Sequence, residues 1–143
     1  MKQFLKKIEL KPHHKKLVEI TSDVNLFLNE SDIQEGLINL SILHTTASLM
    51  IQENDDDNVL YDLEKFFNKL VPMNSNYRHS YEGEDDMPGH IKSTLMNSNL
   101  TLSVIKSKLQ LGNWQGIFLF SRKPVLNSQK LHPPLPQLNF LNF

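Results

Sequence analysis

Three histidines lie in polar stretches of this chain, where imidazole groups are available to bind a metal ion: His44 within LHTTAS, and His79 and His90 within YRHSYEGEDDMPGH. The chain has no cysteine. Histidine and carboxylate side chains would therefore be the ligands, which favours a borderline or hard divalent ion, and zinc is the expected one. The spacing matches no local zinc signature, so the fold must bring the three residues together. The alternative is one strand histidine bonded to the backbone and two loop histidines in water.

Acidic residues flank these histidines in sequence. The candidates to orient the imidazoles or to transfer a proton as a general base are Glu53, Asp55, Glu84, Asp85 and Asp86, and Glu53 and Asp85 are preferred. The alternative for such acids is helix capping and solvation, which already explains Asp55, Asp56 and Asp57 beside a predicted helix start. Capping explains Asp85 and Asp86 less fully, because they lie close to Pro88 and His90.

A second group of residues is suited to binding an anionic ligand. Arg78 has a planar guanidinium that binds phosphate or carboxylate through two hydrogen bonds, and the hydroxyls of Thr45, Thr46 and Ser48 would support it. The alternative for Arg78 is a surface salt bridge with nearby acids. A third cluster, Trp114 and Gln115, could stack on a planar ligand and bond its edge, although a lone tryptophan on a strand is more often part of a core.

The predicted elements that position these residues are strands at both ends of the chain with helices between them. Strands are predicted over residues 3–10, 17–20, 37–51 with a bend near Thr45 and Thr46, 100–106, 109–111 and 114–120. Helices are predicted after Thr21, after the Asp55 to Asp57 cap with a buried apolar stripe, and from Pro88. This order favours an antiparallel α+β domain over alternating parallel βα units.

The length of 143 residues suits one domain. We assign the domain to residues 1–123 and expect residues 124–143, which hold four of the seven prolines, to be an irregular tail. The net charge of −1 gives no reason to expect nucleic-acid binding. No apolar run is long enough to cross a membrane, and the cytoplasm is the expected compartment.

Four blocks of the sequence resemble the YjbQ-like family, whose members are described as secondary thiamine-phosphate synthases. The blocks are HTTASLMIQEND, DLEKFFNKLVP, YRHSYEGEDDMPGHIKSTL and LGNWQGIFL. The resemblance implies a compact antiparallel β-sandwich with two to three helices, a homotrimer, and a site near subunit boundaries built on His44, His79 and His90, with Glu53, Asp85 and Arg78 around them. The chain departs from the family after WQGI, where an acidic residue, a basic turn and a final strand are usual.

The expected function is therefore that of a zinc-assisted enzyme acting on phosphorylated small molecules. The activity implied by the resemblance is thiamine-phosphate synthesis, in which a pyrimidine pyrophosphate is coupled to a thiazole phosphate and pyrophosphate is released. Two alternatives stay open. The first is a non-catalytic oligomer that binds a small anion or a metal, and the second is a metal-dependent phosphate-ester hydrolase.

Overall fold

The structure of the protein, a computed structural model, describes residues 4–9, 17–122 and 137–142. Within these ranges the chain forms eight strands and three helices, and the order of the elements confirms the α+β prediction. The elements are β1 (Leu5–Glu9), β2 (Leu17–Glu19), α1 (Thr21–Ser31), β3 (Glu35–Ile42), β4 (Ala47–Glu53), α2 (Asp57–Leu70), α3 (Asp86–Leu95), β5 (Asn99–Ile105), β6 (Lys108–Leu109), β7 (Gln115–Ser121) and β8 (Gln137–Asn142).

The strands form two antiparallel sheets. The larger sheet has the order β1-β8-β3-β5-β6, and the smaller has the order β2-β7-β4. Their inner faces pack together with α1 in one hydrophobic core, as a β-sandwich requires. The fully buried members with the largest side chains are Ile20, Val24, Phe27, Leu28, Ile38, Leu40, Leu49, Ile117 and Leu119.

Sequence periodicity explains how the strands are oriented. In β5, Leu102 and Val104 are buried while Thr101, Ser103 and Ile105 between them are exposed, which is the alternation of a strand with one wet face. In β7, every residue from 116 to 121 is buried. This continuous burial follows from its central place between β2 and β4, with side chains covered on both faces.

The turns lie close to their predicted places. Thr45 and Thr46 separate β3 from β4, as the predicted bend requires. Lys106 and Ser107 join β5 to β6 with φ values of 51° and 57°, the two positive φ angles of a type I′ hairpin. The sequence predicted this tight turn one residue later, at Ser107 and Lys108 between the predicted strands 100–106 and 109–111.

Helix α2 differs from its prediction. Its amino end is capped as expected, because the Asp56 carboxylate accepts a hydrogen bond from the backbone N–H of Asn58 at 2.8 Å. The predicted stripe of Leu60, Leu63, Phe67 and Leu70 is not fully buried, because the first three are half-buried and Leu70 is 54% exposed. The helix is amphipathic, but in the single chain its apolar face is only partly covered.

The carboxyl-terminal segment also differs from its prediction. Residues 137–142 are not irregular, because they form β8, which pairs with β1 on one side and with β3 on the other. This strand closes the sheet edge that an absent final strand would have exposed. The rest of the predicted irregular tail, residues 124–136 and Phe143, lies outside the described residues.

The described helices include none that is both long enough and apolar enough to cross a membrane.

Candidate metal centre

The loop between α2 and α3 and the first turns of α3 bring two histidines and one aspartate together. Asp86 and His90 are four residues apart on α3, so their side chains lie on the same face of the helix. His79 reaches the same point from the loop that precedes α3. Its Nε2 lies 2.5 Å from Oδ2 of Asp86, and Nε2 of His90 lies 3.6 Å from the same oxygen.

Asp86 is the buried centre of this cluster, with only 2% of its surface exposed. Its Oδ2 faces the two histidines, and its Oδ1 accepts a hydrogen bond from Nη1 of Arg122, the residue that follows β7. Both partners of this ion pair are 3% exposed at their side chains. Because a buried carboxyl group needs a counter-charge and hydrogen bonds, the contact with Arg122 explains how Asp86 is accommodated inside the fold.

Gly89 permits the close approach between α3 and the residue after β7. A Cβ added at position 89 would lie 2.8 Å from Cβ of Arg122 and 3.1 Å from Cβ of Thr46. The first distance is shorter than Cβ contacts in proteins allow without a shift of the neighbour, and the second is tighter than most such contacts. The glycine therefore lets the stem of Arg122 pass against the helix, which places the guanidinium next to Asp86.

The donor set fits a divalent metal ion. One ligand atom from each of His79, Asp86 and His90 lies within 4.8 Å of the other two, and two imidazoles with one carboxylate are a common set for zinc and for non-haem iron. The 3.6 Å between His90 and Asp86 suits two ligands of one ion. The 2.5 Å between His79 and Asp86 is short for that, and the half-exposed His79 would need to shift outward by about 1 Å.

His44 is not part of this cluster. It follows β3 directly, and its Nδ1 accepts a hydrogen bond from the backbone N–H of Thr46 at 3.1 Å. The Thr46 hydroxyl lies 3.2 Å from the same nitrogen. In the described part of the chain the third member of the group is Asp86 rather than His44, because the turn at Thr45 and Thr46 holds the His44 ring by local bonds. Metal binding by His44 stays a prediction.

Two of the three hydroxyl residues predicted to contact a ligand point into the fold. Ser48 is fully buried, and its hydroxyl lies 3.2 Å from the Met96 sulfur. Thr46 is 3% exposed, and its hydroxyl lies against Nδ1 of His44. Only Thr45 is exposed. The structure therefore disagrees with a direct ligand contact through Ser48, because this side chain is fully buried and its hydroxyl lies against Met96, the residue after α3.

The predicted Trp114 and Gln115 cluster lies away from the histidines within one chain. Gln115 pairs with Glu53 at one end of β4 and β7, whereas Arg122 meets Thr46 at the other end. Seven strand residues separate these ends by about 20 Å. Trp114 is 61% exposed, so it is not the core tryptophan of the alternative interpretation. The single chain thus divides the predicted site residues between two ends of one sheet.

The two other predicted polar residues lie on the histidine side. Asp85 is at the start of α3, and its Oδ1 is 3.9 Å from Nη1 of Arg122. Arg78 is exposed in the loop next to His79. Their predicted roles in proton transfer and anion binding stay predictions.

Sequence reasoning gave too little weight to Asp86 and missed Arg122. The signal for Asp86 was its spacing of four from His90 on a predicted helix, which puts both on one face. For Arg122 the signal was weaker. It is a cation directly after a continuous apolar strand, at the point where the chain departs from the family pattern.

Comparison with known proteins agrees with this fold. A family model described as UPF0047 protein YjbQ-like matches residues 6–127. The chain belongs to the YjbQ family. Among curated YjbQ relatives, the Escherichia coli O157:H7 protein is 52% identical over 84 residues, which are 59% of this chain and 61% of that protein. A Synechocystis relative is 43% identical over 110 residues, 76% of this chain and 75% of its own length.

The chain spans less than two thirds of the length of the first enteric relatives it matches, 61% for the Escherichia coli protein and 63% for the Salmonella typhimurium protein. Solved structures of the YjbQ fold match over more of the chain. A Clostridium acetobutylicum protein of the YjbQ/UPF0047 family has a TM-score of 0.76 at 27% identity and covers 96% of this chain and 97% of its own. A Sulfolobus solfataricus YbjQ-like protein, with a TM-score of 0.79 at 19% identity over 99% of this chain and 96% of its own, supports the fold alone.

Proposed function

We propose that this protein is a metal-assisted enzyme acting on phosphorylated small molecules, with zinc held by His79, His90 and Asp86. The observation that carries the proposal is the convergence of these three ligand atoms within 4.8 Å around a buried carboxylate. Three protein ligands with an open position are typical of catalytic zinc sites, whereas structural zinc has four protein ligands.

The residues of the chain have distinct roles in this proposal. Asp86 uses Oδ2 toward the metal position, and Arg122 fixes the carboxylate by bonding Oδ1. Arg122 is therefore a positioning residue for the centre. A zinc ion bound here would supply Lewis-acid stabilisation of negative charge that develops on phosphate oxygens. Asp85, beside the cluster, is the proposed group for proton transfer.

The specific activity proposed is thiamine-phosphate synthesis, as the family resemblance implies. The thiazole nitrogen forms a bond to the methylene carbon of the pyrimidine, and the bond from that carbon to the pyrophosphate oxygen breaks with its electron pair. The leaving pyrophosphate gains negative charge. A cationic centre next to the leaving group favours this step, because electrostatic stabilisation acts where charge develops.

A homotrimer is the proposed assembly, and the partly exposed apolar face of α2 supports an assembly of some kind. Phe66 and Leu70 on α2, with Met73 just after it, are all about half exposed. A contiguous apolar surface of this kind on a soluble chain usually marks an interaction site. Contacts between subunits would also allow Trp114 and Gln115 of one chain to lie near the histidines of another. The cytoplasm stays the proposed compartment, and neither nucleic acid nor a membrane is a proposed partner.

Zinc content and turnover test the proposal together. We expect His79→Ala, His90→Ala and Asp86→Asn each to weaken zinc binding by more than the roughly 10–100-fold that loss of a second-sphere partner costs. Asp62→Asn, an exposed acid on α2, is the matched control and should retain zinc. Pyrophosphate release from the two thiamine precursors should fall in parallel with zinc.

Each outcome has a distinct meaning. Unchanged zinc content in all three variants would exclude this centre. Zinc binding without pyrophosphate release, but with phosphate release from simple esters, would favour the hydrolase alternative. His44→Ala in the same series shows whether His44 joins the centre, because loss of a ligand should lower zinc affinity by more than the roughly 10–100-fold that loss of a second-sphere partner costs.

A further inference from the structure

Trp114 lies on a turn that the chain itself holds closed. The backbone N–H of Gln115 donates to the carbonyl of Gly112 at 3.0 Å, and the backbone N–H of Gly112 donates to Oε1 of Gln115 at 2.7 Å. The backbone N–H of Asn54, the residue after β4, donates to the carbonyl of Trp114 at 3.0 Å. The backbone of Trp114 is therefore fixed, although the residue is 61% exposed. A large aromatic side chain on a fixed backbone loses little conformational entropy on binding, which is the property of an interface anchor.

A second exposed apolar surface lies at the carboxyl-terminal end of α2. Phe66 and Leu70 are four residues apart and share one face of the helix, and Met73 follows just after its end. These three residues are 58%, 54% and 49% exposed. Lys69, three residues after Phe66, is exposed beside them. We refer to Phe66, Leu70 and Met73 as the α2 patch.

Trp114 and the α2 patch lie at opposite ends of the smaller sheet. Only three residues separate the end of β4 from the start of α2, so the helix begins at the Trp114 end. At its other end Asn68 accepts a hydrogen bond from Nζ of Lys92 in α3 at 2.7 Å, and Met73 lines a small cavity beside Arg122. The 14 residues of α2 span about 21 Å, which matches the length of the sheet. Within one chain the two surfaces are therefore too far apart to meet.

Two different apolar surfaces at opposite ends favour a head-to-tail contact between copies of this chain. In such a contact one surface of each copy binds the other surface of the next copy, and the contacts form a ring when the rotation between copies closes. Exposed Glu19 lies near Trp114, because Asn54 donates through Nδ2 to Glu19 at 3.2 Å and through its backbone N–H to Trp114. Exposed Asp55 follows Asn54, whereas Lys69 flanks the α2 patch. Head-to-tail contact therefore brings opposite charges together.

We propose that Trp114 of one copy docks onto the α2 patch of the next copy and that three such contacts close the ring. The inference rests on the proposed homotrimer and names the two surfaces that form it. Because the α2 patch lies at the histidine end of its chain, docking carries Gln115 and Glu53 of one copy to that end of the next. Each candidate metal centre is thus flanked by residues that its own chain holds about 20 Å away.

Cross-linking tests this contact specifically, because the chain has no cysteine. Asn113→Cys places a thiol beside Trp114, Lys69→Cys places one beside the α2 patch, and both positions are exposed. A short bis-maleimide should join the double variant into covalent trimers with no larger species. Each single-cysteine variant can join at most two chains. Asn113→Cys combined with Lys65→Cys, on the polar face of α2, is the matched control and should give no covalent trimers.

Trp114 also reports its own burial, because it is the single tryptophan of the chain. We expect acrylamide to quench its fluorescence at least about twofold less in the assembled wild type than in Phe66→Glu, because an interface anchor is enclosed. Trp114→Ala should raise the dissociation constant of the assembly by about tenfold or more, the effect of losing one hot spot, as measured by sedimentation. Asn113→Ala, beside it on the same exposed turn, should change this constant by no more than about twofold.

The results that overturn this contact differ from those that overturn the proposed function. If the Lys65 control gives covalent trimers as readily as the Lys69 pair, or if assembly leaves the quenching unchanged, the docking is wrong while the homotrimer stands. Dimers from Lys69→Cys alone, without trimers from the pair, mean that the α2 patch binds its own copy. A monomeric wild type overturns both the homotrimer and the contact. None of these measurements needs zinc or turnover, so the metal centre is tested separately.

Discussion

At the scale of single residues, the ion pair of Arg122 and Asp86 is the buried contact on which the candidate metal centre depends. Both side chains are 3% exposed, so each charge depends on the other. Removing one partner of such a pair leaves an uncompensated buried charge. The same pair also orients Asp86 for its proposed role as a metal ligand, so stability and function depend on one contact.

We predict that Arg122→Met lowers the free energy of unfolding by about 3–5 kcal/mol, because Asp86 loses its buried counter-charge. Adding Asp86→Asn should recover part of this loss, since asparagine carries no charge. Urea denaturation of the metal-free proteins measures both. Arg78→Met, at an exposed arginine, is the control and should change the free energy by no more than about 0.5 kcal/mol. A cost below about 1 kcal/mol for Arg122→Met would show that the pair is not a buried, mutually dependent one.

At the scale of elements, the path of α3 across the end of β7 builds the centre. The sequence predicted this helix from Pro88 in its first turn, and the structure confirms it as Asp86–Leu95. The sequence did not predict how near the helix lies to Arg122. That distance depends on Gly89, because the two elements touch at this residue and a side chain there would push them apart.

Gly89→Ala tests this contact. In an open helix alanine is more favourable than glycine by about 1 kcal/mol. Here we expect the opposite sign, a loss of about 1–3 kcal/mol, because the new Cβ would lie 2.8 Å from Cβ of Arg122. Thr94→Ala, exposed on the same helix, should be close to neutral. Thermal and urea unfolding measure both variants, and a Gly89→Ala protein more stable than the wild type would contradict the packing described.

At the scale of the whole molecule, the single chain is incomplete in two respects. The apolar face of α2 is only partly covered, and the predicted site residues are divided between two ends of the smaller sheet. Assembly of several chains would cover the apolar face of α2. It would also allow site residues of one chain to meet those of another. The homotrimer remains a proposal that solution measurements can settle.

We expect sedimentation equilibrium of the full chain to give three times the 16.6 kDa mass of one chain. Phe66→Glu should shift this mass toward the monomer, because it puts a charge into the apolar face of α2. Lys65→Glu, the neighbouring substitution on the polar face, should leave the assembly unchanged. A monomeric wild type would exclude the trimer, and a trimer that tolerates Phe66→Glu would place the interface elsewhere.

The sequence by itself determined the elements and the family, because periodicity, capping and turn residues act locally. The alternation in β5, the Asp56 cap of α2 and the proline in α3 each needed only a few neighbouring residues to be predicted. The exception was the strand Gln137–Asn142. It has weak local signals, and its place between β1 and β3 depends on pairing with distant parts of the chain.

Only the tertiary structure decided which polar residues meet. His79 and His90 were predicted together, but Asp86 rather than His44 completes the group, and Arg122 joins from a strand end 36 residues further along the chain. The physical reason is that the meeting of α3, its preceding loop and β7 is set by the packing of the whole core. Local spacing puts Asp86 and His90 on one helix face but carries no information about their contacts with His79 and Arg122, whereas burial, charge pairing and the space left by Gly89 define those contacts.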